Sequence, residues 1–233
     1  MKLAATGSSV IGPAHLQDDN PNQDAVLVHG IRGGWCIAVC DGLGSRELSH
    51  QGSRLASQVV RSAIREWKGV SSSVPLAISQ WIKERWKKRV GNDYLPYETT
   101  CLWAWVDADG QVKTAQVGDG LLLIRSNGRF RIITSQRDGF GNQTQTLGRA
   151  SDSDWSVAEC HLAIEGDGVL LMTDGISDDL IPEQLEAFFD AIFLQLQGSN
   201  KRRCKRWLTR ELMEWSTPKH GDDKSIAGIF RVE

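Results

Sequence analysis

The stretch Trp35-Cys36-Ile37-Ala38-Val39-Cys40-Asp41-Gly42-Leu43-Gly44 is an apolar run that stops at an acid and continues as Gly-x-Gly. Apolar runs of about 4–8 residues closed by a turn signal predict buried strands. A carboxylate at the exit of a buried strand is costly unless something pairs with it. The glycines let backbone atoms come close to that partner. The same construction recurs in Gly168-Val169-Leu170-Leu171-Met172-Thr173-Asp174-Gly175 and, shorter, in Ala115-Gln116-Val117-Gly118-Asp119-Gly120. Two more acids stand near the chain ends, Asp24 in Asn22-Gln23-Asp24-Ala25 and Asp223 in Asp222-Asp223-Lys224-Ser225. A lone Asp-Gly pair is most often a turn. Three of them after apolar runs, with flanking acids, are harder to read that way. If the fold gathers them, like charges about 4 Å apart repel by roughly 4 kcal/mol at an effective dielectric near 20. Raised pKa values or bound cations must then offset the repulsion. An all-oxygen donor set selects hard cations, magnesium or manganese.

Working outward, 25–29 and 35–40 flank the turn Ile31-Arg32-Gly33-Gly34 and predict a hairpin, whereas 1–24 is turn-rich. Residues 48–67 predict an amphipathic helix with Leu48, Leu55, Val59, Ala63 and Trp67 on one side. Residues 75–90 predict a second, burying Leu76, Ile78, Trp81 and Ile82 and wetting Lys83, Arg85, Lys87, Lys88 and Arg89. From 99 to 135 the texture is a β meander with hairpin signals at Asp109-Gly110 and Asn127-Gly128. The polar, Gly-rich stretch 136–154 predicts a long functional loop, with Asp138 as a turn residue. Strands at 155–162 and 168–173, helices at 182–197 (opening near Pro182) and 201–215, and a strand at 225–232 complete the chain. Asp178 and Asp179 read as turn or capping residues, and Asp222 as a neighbour of the site. Two helices before a run of strands predict an α+β chain with an antiparallel sheet.

No Pro/Ser/Gly-rich linker divides the 233 residues, so one domain over 1–233 is expected. A net charge of −2 and a pI near 6.2 carry no global nucleic-acid signal. Nine tryptophans argue for a substantial core. Five cysteines, an odd number without a Cys-x-x-Cys pair, read as buried free thiols in a reducing compartment. The start is too short and polar for a signal peptide, and no stretch reaches about 18 apolar residues. A cytoplasmic protein with neither membrane nor nucleic-acid partner is expected.

In order, Asn22-Gln23-Asp24-Ala25, Val39-Cys40-Asp41-Gly42-Leu43-Gly44, Glu98-Thr99-Thr100, Val117-Gly118-Asp119-Gly120, Thr144-Gln145-Thr146-Leu147-Gly148, Met172-Thr173-Asp174-Gly175 and Asp223-Lys224-Ser225-Ile226 resemble the motifs of the metal-dependent Ser/Thr protein phosphatases of type 2C. The resemblance is to small bacterial-type members, and it covers nearly the whole chain. It implies an α-β-β-α four-layer sandwich with two central antiparallel sheets. It also implies hydrolysis of phosphoserine and phosphothreonine in proteins by a hydroxide bridging two magnesium or manganese ions, with a weaker third ion. On this resemblance Asp41 bridges both ions, Gly42 offers its carbonyl, Asp174 and Asp223 hold the second ion, Asp24 acts through water, and Asp119 serves the third. The implied partners are a phosphorylated protein substrate and a cognate Ser/Thr kinase pathway.

Three positions depart from the pattern. The family's phosphate-binding Arg falls at Asp19, and His15 is the nearest replacement, unless it is an ordinary loop histidine. Leu43 stands where some members have a His proposed as general acid. Lys224 replaces the usual Asn and is expected to point to solvent. The rival reading is a catalytically weak or dead module of the same fold that binds a phosphoprotein or kinase.

Overall fold

Nearly every strand residue ahead of Asp41 and Asp174 is apolar because both faces of these strands are covered. The computed structural model describes residues 1–68, 74–134, 144–215 and 221–233. Its strands are β1 (Leu3–Val10), β2 (Asp24–Ile31), β3 (Gly34–Asp41), β4 (Cys101–Val106), β5 (Gln111–Val117), β6 (Leu121–Ser126), β7 (Arg129–Ile132), β8 (Ser156–His161), β9 (Gly168–Met172) and β10 (Lys224–Arg231). They form two antiparallel sheets, ordered β1-β10-β9-β6-β7 and β2-β3-β4-β5-β8. The helices are α1 (Pro13–Gln17), α2 (Ser49–Glu66), α3 (Val74–Val90), α4 (Asp174–Ser177), α5 (Leu185–Gln197) and α6 (Lys201–Met213).

Side chains alternate across a strand, and here the alternation sorts them among three cores. Cys36, Ala38 and Cys40 of β3 and Trp103 of β4 meet Val59 and Ala63 of α2 and Ile78, Ile82 and Trp86 of α3. The opposite faces, with Ile37, Val39, Leu102 and Ala104, meet Val169, Leu171, Ala227 and Ile229 of the other sheet. That sheet's far face, with Leu170, Met172 and Phe230, lies under Phe189 and Ile192 of α5 and Leu208 of α6. The expected α-β-β-α sandwich is therefore observed. Strands buried on both faces lose the polar half of the period-two pattern.

Several elements depart from expectation. Residues 3–10 form a strand rather than turns. Leu-Ala-Ala-Thr-Gly-Ser-Ser-Val carries a weak local signal, and pairing with β10 from Leu3↔Arg231 to Val10↔Lys224 supplies the order. The meander is split. Asp109-Gly110 joins β4 to β5 and Asn127-Gly128 joins β6 to β7, but Gly118-Asp119-Gly120 carries the chain from one sheet to the other. In α3 the fully buried stripe is Ile78, Ile82 and Trp86, with Leu76 and Trp81 only partly buried. Trp86 donates its Nε1–H to the Gly52 carbonyl at 3.0 Å. Pro182 opens a 3-10 turn, Pro182–Gln184, and α5 follows it. Residues 136–143, Asp138 among them, lie outside the described residues. All five cysteines are free thiols, four of them buried. No described helix is long and apolar enough to cross a membrane.

Candidate metal centre

β3 and β9 belong to different sheets, yet both end at one hollow. Asp41 closes β3, Asp174 opens α4 directly after β9, and Asp119 sits in the crossing between β5 and β6. One carboxylate oxygen from each lies within 4.8 Å of the others. The cavity they line has a volume of about 230 Å³ and also touches His15, Gly42 and Asp222. The position of Asp41 is set by its neighbours in β4's approach. Its amide donates to Thr100 Oγ1 at 2.9 Å, and its carbonyl accepts from the Thr100 amide and from Thr99 Oγ1, both at 2.7 Å. Thr144 Oγ1 donates to Asp119 Oδ2 at 2.5 Å.

The acids repel one another as expected. Burial, and then the charges of Asp24, Asp174, Asp222 and Asp119, push the Asp41 carboxyl well above the usual carboxylate range. Burial, with Asp119 and Asp222 adding, raises Asp174 to about 6, and a hydrogen bond from Asp41 opposes the rise. Burial raises Asp24 to about 8, Asp223 and Asp222 contributing. The cavity lining contains four carboxylates and no lysine or arginine among the described residues. An all-oxygen donor set under this strain fits hard divalent cations.

The two C-terminal acids exchange their expected places. Asp222 is exposed and lines the cavity, whereas Asp223 is 2% exposed and turned away. The oxygens of Asp223 are occupied: Oδ1 accepts the Gly12 amide at 2.7 Å and Oδ2 the Gln23 amide at 2.6 Å. His15 Nδ1 also stands 2.9 Å from Asp223 Oδ2, without the geometry of a hydrogen bond. The segment 221–223 is wedged between two glycines. A Cβ on Gly12 would fall 2.3 Å from the carbonyl carbon of Asp222, and one on Gly175 would fall 2.0 Å from the carbonyl oxygen of Asp223. Asp24 pairs with Asp41 across β2 and β3, but it lies behind the cavity and accepts from Thr173 Oγ1 at 3.0 Å. Lys224 does not reach solvent; it is 2% exposed and its Nζ donates to the Asp222 carbonyl at 3.1 Å. Asp178 caps α4 at its C-terminal end, and Asp179 accepts the Trp215 Nε1–H at 3.0 Å.

Sequence reading passed over the charge of Glu98. Its carboxylate is 1% exposed and is held by Arg46 at 2.9 Å, Arg149 at 2.5 Å and Thr146 at 3.0 Å, while its carbonyl accepts the amide of cavity-lining Leu43. It ties one cavity wall to the stretch 144–150. Only the position of Glu98 ahead of two threonines hinted at this.

A stability prediction follows from the raised acids. Asp24 and Asp174 have pKa values near 3.8 when unfolded and about 8 and about 6 when folded. The folded state therefore binds these protons more tightly, and stability is highest below pH 4 on this account. The contribution is lost as pH rises to about 6 for Asp174 and about 8 for Asp24. In EDTA the melting temperature should fall between pH 5 and 8, and added manganese should raise it more at pH 8 than at pH 5.5. A melting temperature in EDTA that rises steadily over this range would contradict the clustering of these acids.

The model of the protein phosphatase 2C family matches residues 11–213. No curated protein sequence matches the chain. Among solved structures, a bacterial serine phosphatase superposes with a TM-score of 0.70 at 16% identity, covering 100% of this chain and 98% of the other. The Mycobacterium tuberculosis serine/threonine phosphatase PstP/Ppp gives a TM-score of 0.66 at 17% identity, with 100% of both chains covered. The catalytic domain of PstP, solved in complex with two manganese ions, gives 0.65 at 18% identity, with 99% of both chains covered.

Proposed function

The chain belongs to the protein phosphatase 2C family, and from that premise we propose that it hydrolyses phosphoserine and phosphothreonine in proteins at the cavity between Asp41 and Asp174. The observation that carries the reading is the convergence of Asp41, Asp119 and Asp174 from both sheets within 4.8 Å. Asp41 is central and would serve two divalent ions, magnesium or manganese. Asp174 and Asp222 would complete one ion's donor set, Gly42 would offer its carbonyl to the other, and Asp119 would hold a weaker third. When bound, such ions acidify water and offset charge on the phosphoryl oxygens. His15 faces the same cavity and is the chain's candidate donor to a phosphate oxygen. Asp223 acts on that donor indirectly, by fixing the backbone at Gly12 and Gln23 and by its contact with the imidazole. Asp24 lies behind Asp41 and acts on it electrostatically.

On this reading residues 1–233 are one catalytic domain of bacterial type, cytoplasmic, opposing a Ser/Thr kinase on a phosphoprotein of a signalling pathway. The family match over 11–213 and the supply of cavity residues from both halves of the chain support the single catalytic domain. The deciding experiment is p-nitrophenyl phosphate hydrolysis with manganese, with magnesium and with EDTA. Cation-dependent turnover is expected. Undiminished turnover in EDTA would end the metal reading, and none under any condition would favour a binding module of the same fold.

The C-terminal pair separates the two acids' roles. Asp222→Asn removes a charge that bears on Asp24, Asp41 and Asp174, so it should hold or raise the melting temperature in EDTA and weaken manganese binding. Asp223→Asn turns an NH2 toward one of the two amides that Asp223 accepts and should destabilise by about 1–3 kcal/mol, with manganese affinity of the folded protein retained. Calorimetric titration and thermal melts read both. The opposite pattern would restore Asp223 as the ligand.

A further inference from the structure

The larger hollows of the surface lie away from the acids. One, of about 640 Å³, is lined by residues 6–9 of β1, 26–28 of β2, and Lys201, Lys205 and Thr209 of α6. β1 has only β10 as a neighbour and β2 only β3, so among the described residues each strand leaves one edge unpaired. A second hollow, of about 950 Å³, continues along α6 past Arg202, Arg206 and Arg210 and shares Lys205 and Thr209 with the first. Ser8 Oγ and Thr209 Oγ1 stand 2.7 Å apart, which fixes strand and helix to each other at the junction.

The charge of α6 is lopsided. Between Lys201 and Met213 it has six cations and one acid, Glu211, in a chain whose net charge is −2. Cys204, Leu208 and Leu212 take the buried side, so the cations crowd the wet side. Arg202, Arg203, Lys205 and Arg206 are exposed and make no ion pair among the described residues, whereas Arg210 reaches Glu211 at 3.5 Å. Lys201, Arg202 and Arg203 also occupy the first turn, which holds no acid. The positive end of the helix dipole disfavours cations there. Lys201 gains a contact over the Trp35 ring at 4.6 Å, but Arg202 and Arg203 gain no ion pair among the described residues from this placement.

We infer that the groove between β1, β2 and α6 docks an acidic, extended segment of the protein substrate, away from the phosphorylated residue. The inference takes its partner, and nothing else, from the phosphatase reading. Residues 6–8 of β1 are buried and form the groove floor, whereas 26–28 of β2 are partly exposed. An open strand edge bonds an extended backbone, and the row of cations on α6 selects carboxylates along it. Groove and cavity flank the connection 11–23. On one side of it Asn22 Nδ2 donates to Ser9 Oγ at 2.9 Å, and on the other the Gly12 amide donates to Asp223. A strand rises about 3.3 Å per residue, so Val26 stands roughly 7 Å along β2 from Asp24. On this reading the docking segment belongs to the same substrate chain, several residues from the phosphorylated one.

The test compares two phosphopeptides that differ only in a distal run of glutamates or of serines. In the parent protein the acidic peptide should have a KM about tenfold lower, equivalent to about 1.4 kcal/mol. The double variant Lys205→Glu, Arg206→Glu should lose that preference and keep its melting temperature and its p-nitrophenyl phosphate kinetics. Equal KM values for both peptides in the parent would overturn the inference. A second arm needs no turnover: a fluorescein-labelled, glutamate-rich peptide without phosphate should bind the parent but not the variant by anisotropy in EDTA. That arm still decides if the chain hydrolyses nothing. A labelled oligonucleotide that binds this face more tightly than the peptide would overturn the inference in favour of nucleic acid.

Discussion

Asp41→Asn should lower p-nitrophenyl phosphate turnover about a thousandfold while the chain stays folded, the loss of about 4 kcal/mol of transition-state stabilisation at 1.36 kcal/mol per tenfold. An amide keeps the shape of the side chain but removes the charge that Asp41 presents beside Asp119 and Asp174. The same change should stabilise the metal-free protein. The Asp41 carboxyl is desolvated and faces Asp24, Asp174, Asp222 and Asp119. In EDTA at pH 8 the variant should therefore melt above the parent. Turnover at saturating manganese and melts in EDTA check the two halves separately. Turnover within tenfold of the parent would remove Asp41 from the reacting centre.

The second large effect is expected from a single methyl group. Gly175→Ala would set a Cβ 2.0 Å from the Asp223 carbonyl oxygen and 3.5 Å from the Asp222 Cβ. No side chain can rotate away, because the obstacle is backbone. Nor can segment 221–223 retreat, because Gly12 abuts its other side. Overpacking of this kind costs about 3 kcal/mol, a fall in melting temperature of roughly 6–12 °C for a chain of this size. Turnover should fall beyond what the lost stability explains, since Asp222 is displaced with the segment. Thermal melts and rates measured well below the transition test this, and parental values for both would mean that the wedge yields freely.

The acids at strand exits were legible because a polar residue after an apolar run is a local signal. Asp41, Asp119 and Asp174 were found that way, and so was the four-layer sandwich, through the order of motifs. The C-terminal register was not legible. Asp222 and Asp223 are adjacent and identical in type, and only the amides of Gly12 and Gln23, some 200 residues away in sequence, decide which one turns inward. β1 was missed because its order comes from β10 rather than from its own composition. The split between β5 and β6 was missed because a hairpin and a crossing both use glycine-rich turns. Lysine as a residue type predicts exposure for Lys224, whereas its place at the start of β10 buries it.

That split has a consequence for motion. Asp41 rides on one sheet, Asp174 on the other, and Asp119 on the peptide that joins them. Without a ligand, the strand ends around the cavity can open locally and separately, each with its own small free energy. A cation held by acids from both sheets would couple those openings, so that neither sheet frays at this end without releasing the ion. Amide protons at the ends of β3 and β9 would then exchange on one shared clock, and the cation would set its rate.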